Sequence, residues 1–241
     1  MVTYCLQSVS ESNYRGEGSL QTAFQRAGEK SGFSSVRAEY VPFKEFKAVW
    51  TKRGDVVDLQ VTDYMKGADQ AVLDEFAECM CRRILTKRSK ELYTQMMRDW
   101  LQSEEFVALN RLTYLKRSRN IAYTSKGSSY DLKESLSRLM SQGMVPEISN
   151  SYITWTKRPN IQRMGYCSVI MRVVAVSSSL DSDKVPEFVS DYVLYHELLH
   201  LNDGLKAMGS HHDSAFRMRE RAYPRWREAE AILKKVASKS V

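Results

Sequence analysis

All four histidines of the chain, His196, His200, His211 and His212, fall within seventeen residues, and the first two frame Glu197 in the run Tyr195-His-Glu-Leu-Leu-His200. On a helix, residues four apart share one face about one turn from each other. Two imidazoles so placed can grip one Zn²⁺. A glutamate on the adjacent face can take a proton from a water that the metal activates. A catalytic zinc site takes three protein ligands and leaves a fourth position open. By spacing alone two residues compete for the third place: His212, twelve residues past His200, and Glu220, twenty past it. His211, next to His212, is a further option. The extended metzincin pattern fails, because Asp203 stands where its glycine should be.

The pentad needs a helix to present it, and residues 185–202 supply one. Pro186 suits a first helical turn, Asp181, Ser182 and Asp183 stand upstream as candidate caps, and Gly204 is a stop signal. Val189, Val193, His196 and His200 fall on one stripe, and Phe188, Leu194, Tyr195, Leu198, Leu199 and Leu201 cover much of the remainder. A helix apolar nearly all round is buried. Two imidazoles on a buried stripe need partners, since an unpaired buried polar group costs about 1–3 kcal/mol. Hydrogen bonds within the core would satisfy them; a metal ion would satisfy both at once.

The run Val185-Pro-Glu-Phe-Val-Ser-Asp-Tyr-Val-Leu-Tyr-His-Glu-Leu-Leu-His200 resembles the active helix of SprT-like zinc metallopeptidases, which are related to the YgjP-type and WLM-type metallopeptidases. The likeness extends to His212-Asp-Ser-Ala-Phe216, where the family has a third histidine four residues before an aromatic. It extends also to Tyr223-Pro-Arg-Trp226 before a last helix, and upstream to Tyr152–Arg158 and Arg163–Cys167 as two strands. It runs from about Asp131 to Leu233, with a long loop after Leu201 as a departure from the family pattern. The resemblance implies an α+β, zincin-like peptidase domain, a small sheet packed on the active helix. It implies His196, His200 and His212 as Zn²⁺ ligands and Glu197 as general base. It also implies a protein or peptide substrate, with DNA-associated proteins as one class.

Upstream of that domain, residues 44–64 read as a β-hairpin around Arg53-Gly54-Asp55, with Phe46, Val49 and Trp50 before the turn. Residues 21–29 suit a short helix, and Ser8 to Ser19 a loop or mobile end. An amphipathic helix covers 68–87 on Leu73, Phe76, Ala77, Met80 and Ile84. Two more helices are expected, Lys90 to Leu101 with Leu92, Met96, Met97, Trp100 and Leu101 inside, and Glu104 to Leu115. Residues 118–130 read as a linker, which divides an N-terminal region, 1–120, from the peptidase-like domain, 121–241. Asp131 should cap a helix over 132–142 that Gly143 ends. Residues 152–158 and 165–177 are strand-like, and an extended substrate could add to an edge in the latter.

The charge is uneven. Residues 81–120 carry a net +6, the remaining 201 residues only +1. Arg82, Arg83, Lys87, Arg88 and Lys90, then Lys116, Arg117 and Arg119, form a basic block that suits either solvated helix ends or contacts to nucleic acid, with DNA as the candidate partner. A second reading follows: an inactive, zinc-containing nucleic-acid-binding module. Cys5, Cys79, Cys81 and Cys167 include no CxxC pair, so a four-cysteine zinc site is not expected and the thiols read as reduced. No apolar run approaches the ~20 residues of a membrane span, and no signal-peptide core precedes residue 20, so a cytoplasmic protein is expected.

Overall fold

The computed structural model describes residues 16–86, 93–146, 148, 150–206 and 212–238. The chain is mixed α+β, with eight α-helices and two three-stranded sheets among the described residues. It divides into two compact units, Met1–Ser89 and Lys90–Val241, each built on one sheet. The sequence reading drew its boundary after residue 120. The observed divide comes earlier because the segment before 120 is bonded into the second unit. Arg111 Nη1 donates to the Asn150 carbonyl at 2.6 Å, Asn120 Nδ2 to the Arg158 carbonyl at 3.2 Å, and the Tyr123 hydroxyl to the Leu115 carbonyl at 2.8 Å.

The first unit runs α1 (Gly16–Lys30), β1 (Ser35–Val41), β2 (Ala48–Arg53), β3 (Val56–Thr62) and α2 (Gln70–Thr86). Strand β3 is central, parallel to β1 and antiparallel to β2. The hairpin turns where the sequence predicts, with Gly54 at φ +62°, a conformation glycine adopts without steric cost. Val57, Leu59 and Val61 are buried on β3, as are Leu20 and Phe24 on α1 and Leu73, Phe76 and Ala77 on α2. Phe24 and Phe76 meet edge to face at 5.8 Å. Helix α1 is longer than expected and already includes Gly16–Ser19, which read as loop. Strand β1 went unforeseen. Its alternation is weak, with only Val36 buried, and its partner is the second strand of the hairpin, with β2 intervening in sequence.

The second unit runs α3 (Gln95–Leu101), α4 (Glu104–Arg117), α5 (Leu132–Ser141), β4 (Tyr152–Trp155), β5 (Gly165–Ser168), β6 (Val173–Val176), α6 (Glu187–Asp203), α7 (Ser214–Glu220) and α8 (Trp226–Ser238). Met97 and Leu101 of α3 are buried, but Met96 is exposed and Trp100 half-buried, so the inner face is narrower than predicted. The expected linker 118–130 is built structure: Ala122 N donates to the Trp155 carbonyl and Trp155 N to the Thr124 carbonyl, both at 3.0 Å. Asp131 caps α5 through the Lys133 amide at 2.9 Å, as predicted.

The expected strand over 165–177 is two strands. Buried β6 is central, parallel to β4 and antiparallel to β5. The chain turns through Arg172 at φ +52° with no glycine or proline to announce it. Helix α6 packs against β5 and β6 on one side and against α5, α7 and α8 on others. It is buried nearly all round, from Val189 to Leu201. Its expected caps are not used: Pro186 occupies the N-cap position without a side-chain bond. Arg138 of α5 grips the first turn instead. Its Nε donates to Asp191 Oδ2 at 3.0 Å and its Nη2 to Asp191 Oδ1 at 2.9 Å and Glu187 Oε1 at 2.7 Å. Gly204 ends the helix at φ +66°. No helix among the described residues is long and apolar enough to cross a membrane.

Candidate metal centre

One turn of α6 brings His196 Nε2 and His200 Nε2 to 3.2 Å. His212, just before the Asp213 cap of α7, joins them from beyond the following loop. Its Nε2 lies 2.9 Å from His200 Nε2 and 3.3 Å from His196 Nε2. Three imidazole nitrogens thus converge on one point and could hold a metal ion. Phe216 of α7, fully buried, stacks on His200 at 4.5 Å and meets the edges of the other two rings. His212 reaches the cluster because α7 is anchored. Asp213 accepts the Phe216 amide at 2.8 Å, and the Tyr195 hydroxyl donates to the Arg219 carbonyl at 2.7 Å.

Glu220, the other candidate ligand by spacing, lies on the far side of His196. Its Oε1 is 2.6 Å from His196 Nδ1. A carboxylate only accepts, so Nδ1 is the donor of this pair and Nε2 is the nitrogen that faces the cluster. Burial, then Glu220 and Glu230 beside its hydroxyl, hold the Tyr192 phenol above its ordinary range. Of the carboxylates Asp203, Asp213 and Glu220, Glu220 alone is seen to orient an imidazole. Asp203 binds Arg219 at 2.5 and 2.8 Å and Lys206 at 3.3 Å, while Asp213 caps α7. His211 lies outside the described residues.

Glu197 is 7 % exposed. Burial pushes its carboxyl up to about 7, with the Arg163 guanidinium opposing the rise. The first residue of β5 explains the fit: a Cβ on Gly165 would stand 2.8 Å from both Glu197 Oε1 and Val193 Cγ1. Only glycine allows strand and helix to approach so closely. Nothing in the pentad points to Gly165; a glycine opening a strand was the available signal. Cys167, two residues on, has its thiol raised by burial, then by the Glu197 charge, and stays protonated. Cys79 and Cys81 are buried and form no disulfide among the described residues.

The described residues of the basic block are divided between the two units. Arg82 and Arg83 belong to α2 in the first unit; Lys116 and Arg117 close α4, and Arg119 follows it, in the second. Lys87, Arg88 and Lys90 lie outside the described residues. No family model, no curated protein and no solved structure matches the chain. The residues and their geometry therefore carry the functional argument.

Proposed function

We propose that the chain is a zinc-dependent metallopeptidase of zincin-like architecture, with His196, His200 and His212 as ligands and Glu197 as general base. The convergence of three imidazole Nε2 atoms within 3.3 Å of one another is the observation that carries this reading. Zn–N bonds of about 2.0–2.1 Å at tetrahedral angles separate ligand nitrogens by ~3.3 Å, so the cluster has the dimensions of one face of such a site. Three neutral imidazoles also suit zinc by donor type and leave a fourth position for substrate.

When bound, the ion supplies a Lewis acid that acidifies a water and polarises a carbonyl. The chain's own residues do the rest. Glu220 fixes His196 in the ligating tautomer, and Phe216 keeps the rings in place. Glu197, its carboxylate destabilised by burial, accepts a proton on a carboxylate oxygen and passes it to the leaving amine. Gly165 keeps space for that carboxylate. Strand β5 pairs with β6 on one side only among the described strands, so its other edge suits an extended peptide.

Zinc analysis with a protease assay tests the proposal. Wild type should hold about one zinc per chain. Glu197→Gln should keep the zinc and lose cleavage by about 10²- to 10⁴-fold, whereas His212→Ala should lose the zinc. Equal cleavage by wild type and Glu197→Gln refutes the catalytic role. Full zinc in His212→Ala with loss in Glu220→Ala refutes the ligand set.

A further inference from the structure

The second unit holds another built site, which shares no residue with the imidazole cluster. A depression of about 570 Å³ lies at the end of β4, between the 118–124 segment and the 126–128 loop. Lys116, Arg119, Lys126 and Lys157 line it. All four are exposed, and none makes an ion pair among the described residues. One acid, Asp181, also lines it, but its carboxylate is filled. It accepts the amides of Ser128, Ser129 and Tyr130 at 2.6, 2.8 and 3.1 Å and the Ser128 hydroxyl at 2.9 Å. Asp181 keeps its charge, so four cations and one carboxylate line a single concavity of ligand size, an excess of three positive charges.

The walls are fixed. Asn120 clamps Arg158, accepting its amide at 2.7 Å and donating to its carbonyl at 3.2 Å. Gly127 sits so close to Asp181 that a Cβ would come within 2.4 Å of its carboxylate. Tyr123 lines the depression with 53 % of its surface exposed, at φ +63°, a conformation side chains rarely adopt. Its hydroxyl, bonded to the Leu115 carbonyl at 2.8 Å, holds the ring there. The indole Nε1 of Trp155, 2 % exposed and also lining the site, is a buried donor without a hydrogen-bond partner.

We propose that this depression binds a nucleotide unit, its phosphate taken by Lys116, Arg119, Lys126 and Lys157 and its base laid on Tyr123. The inference goes beyond the peptidase reading and is independent of it. Phosphate and aromatic base could come from a free mononucleotide or from a single strand of nucleic acid, and the test separates the two.

Full-length protein is titrated with ATP and with a fluorescein-labelled oligothymidylate of about ten nucleotides, a length within the range of single-strand sites. A metal chelator is present throughout. Each cationic contact to a strand weakens binding about threefold between about 50 and 200 mM salt, so the four contacts predict a loss of about 50- to 80-fold. The exposed double variant Arg119→Glu/Lys157→Glu should bind at least about tenfold more weakly at low salt and flatten the salt slope by about 2. Tyr123→Gly relieves the backbone and removes the ring. It should weaken base-bearing ligands by about tenfold without changing competition by inorganic phosphate. ATP binding that phosphate competes away assigns a free nucleotide; binding of the oligonucleotide alone assigns a strand. The proposal is overturned if neither binds at low salt, or if the double variant binds like wild type. It is equally overturned if Arg82→Glu/Arg83→Glu in the first unit abolishes binding while the double variant does not.

Discussion

Gly165→Ala tests the packing around the proposed base without touching an imidazole. The new Cβ would stand 2.8 Å from Glu197 Oε1 and from Val193 Cγ1, and 2.9 Å from Glu197 Cγ, where ordinary contact begins near 3.4 Å. Strand β5 or the Glu197 side chain must therefore give way by about 0.6 Å. Overpacking of this kind costs about 1–3 kcal/mol, or a Tm lower by roughly 2–10 °C for a chain of this size. A ~1 Å misplacement of a reacting group costs about 10²-fold, so cleavage should fall by roughly tenfold or more. Zinc content should be unchanged, because Gly165 contacts none of the three ligating nitrogens. Adding Val193→Ala removes one of the two obstructing groups and should recover part of the Tm. Measured together, zinc stoichiometry, Tm and cleavage rate decide the matter. Unchanged Tm and unchanged cleavage would show that strand and helix are not in the contact described, and the argument for the position of Glu197 would fall with it.

Three further outcomes follow from the same geometry. Glu220→Gln keeps a partner for His196 Nδ1 but removes the charge, and should weaken zinc binding by about 10- to 100-fold in a competition titration with a chromogenic chelator. Asp191→Asn breaks the bidentate grip of Arg138 on α6. It should cost about 2 kcal/mol in denaturant unfolding, less than the ~3–5 kcal/mol of a fully buried pair because a third of the Arg138 side chain is exposed. The hydrogen bond from Arg219, with Lys206 assisting against burial, holds the Asp203 carboxyl below its usual range. A depressed folded-state value adds stability above the unfolded value and loses it as pH falls. The stability gap between wild type and Asp203→Asn should thus be constant from about pH 5 to 8 and shrink below about pH 4. A gap that grows in acid would contradict the assignment.

Helix α6, with the pentad on it, was legible because its pattern is long, apolar and locally determined. The same holds for α2, for α5 with its Asp131 cap, and for the hairpin at Gly54. The third histidine was not readable from spacing, because it lies twelve residues past His200; its convergence with the other two depends on α7 docking through Phe216. For the same reason the sequence could not rank Glu220 above Asp203 and Asp213 as the carboxylate that orients an imidazole. The β5–β6 hairpin read as one strand because Arg172 turns the chain where a glycine would have marked the turn. Residues 118–130 read as a linker because it is chiefly their backbone groups that bond to strand β4 and to Asp181, which sequence proximity cannot reveal. Asp181 itself read as a helix cap and serves instead as the clamp of that loop.

Helix α7 is only two turns long, yet its two ends serve opposite sides of His196: the imidazole just ahead of it meets Nε2, and the carboxylate at its close meets Nδ1. It therefore works as a ruler. Each residue advances the axis by about 1.5 Å and swings the side chain through about 100°. Losing a single residue between Ser214 and Arg219 would leave the incoming histidine where it is while turning the carboxylate away from the ring it steadies. Length in this segment is thus set more strictly than identity, so substitutions are tolerated there more readily than insertions or deletions.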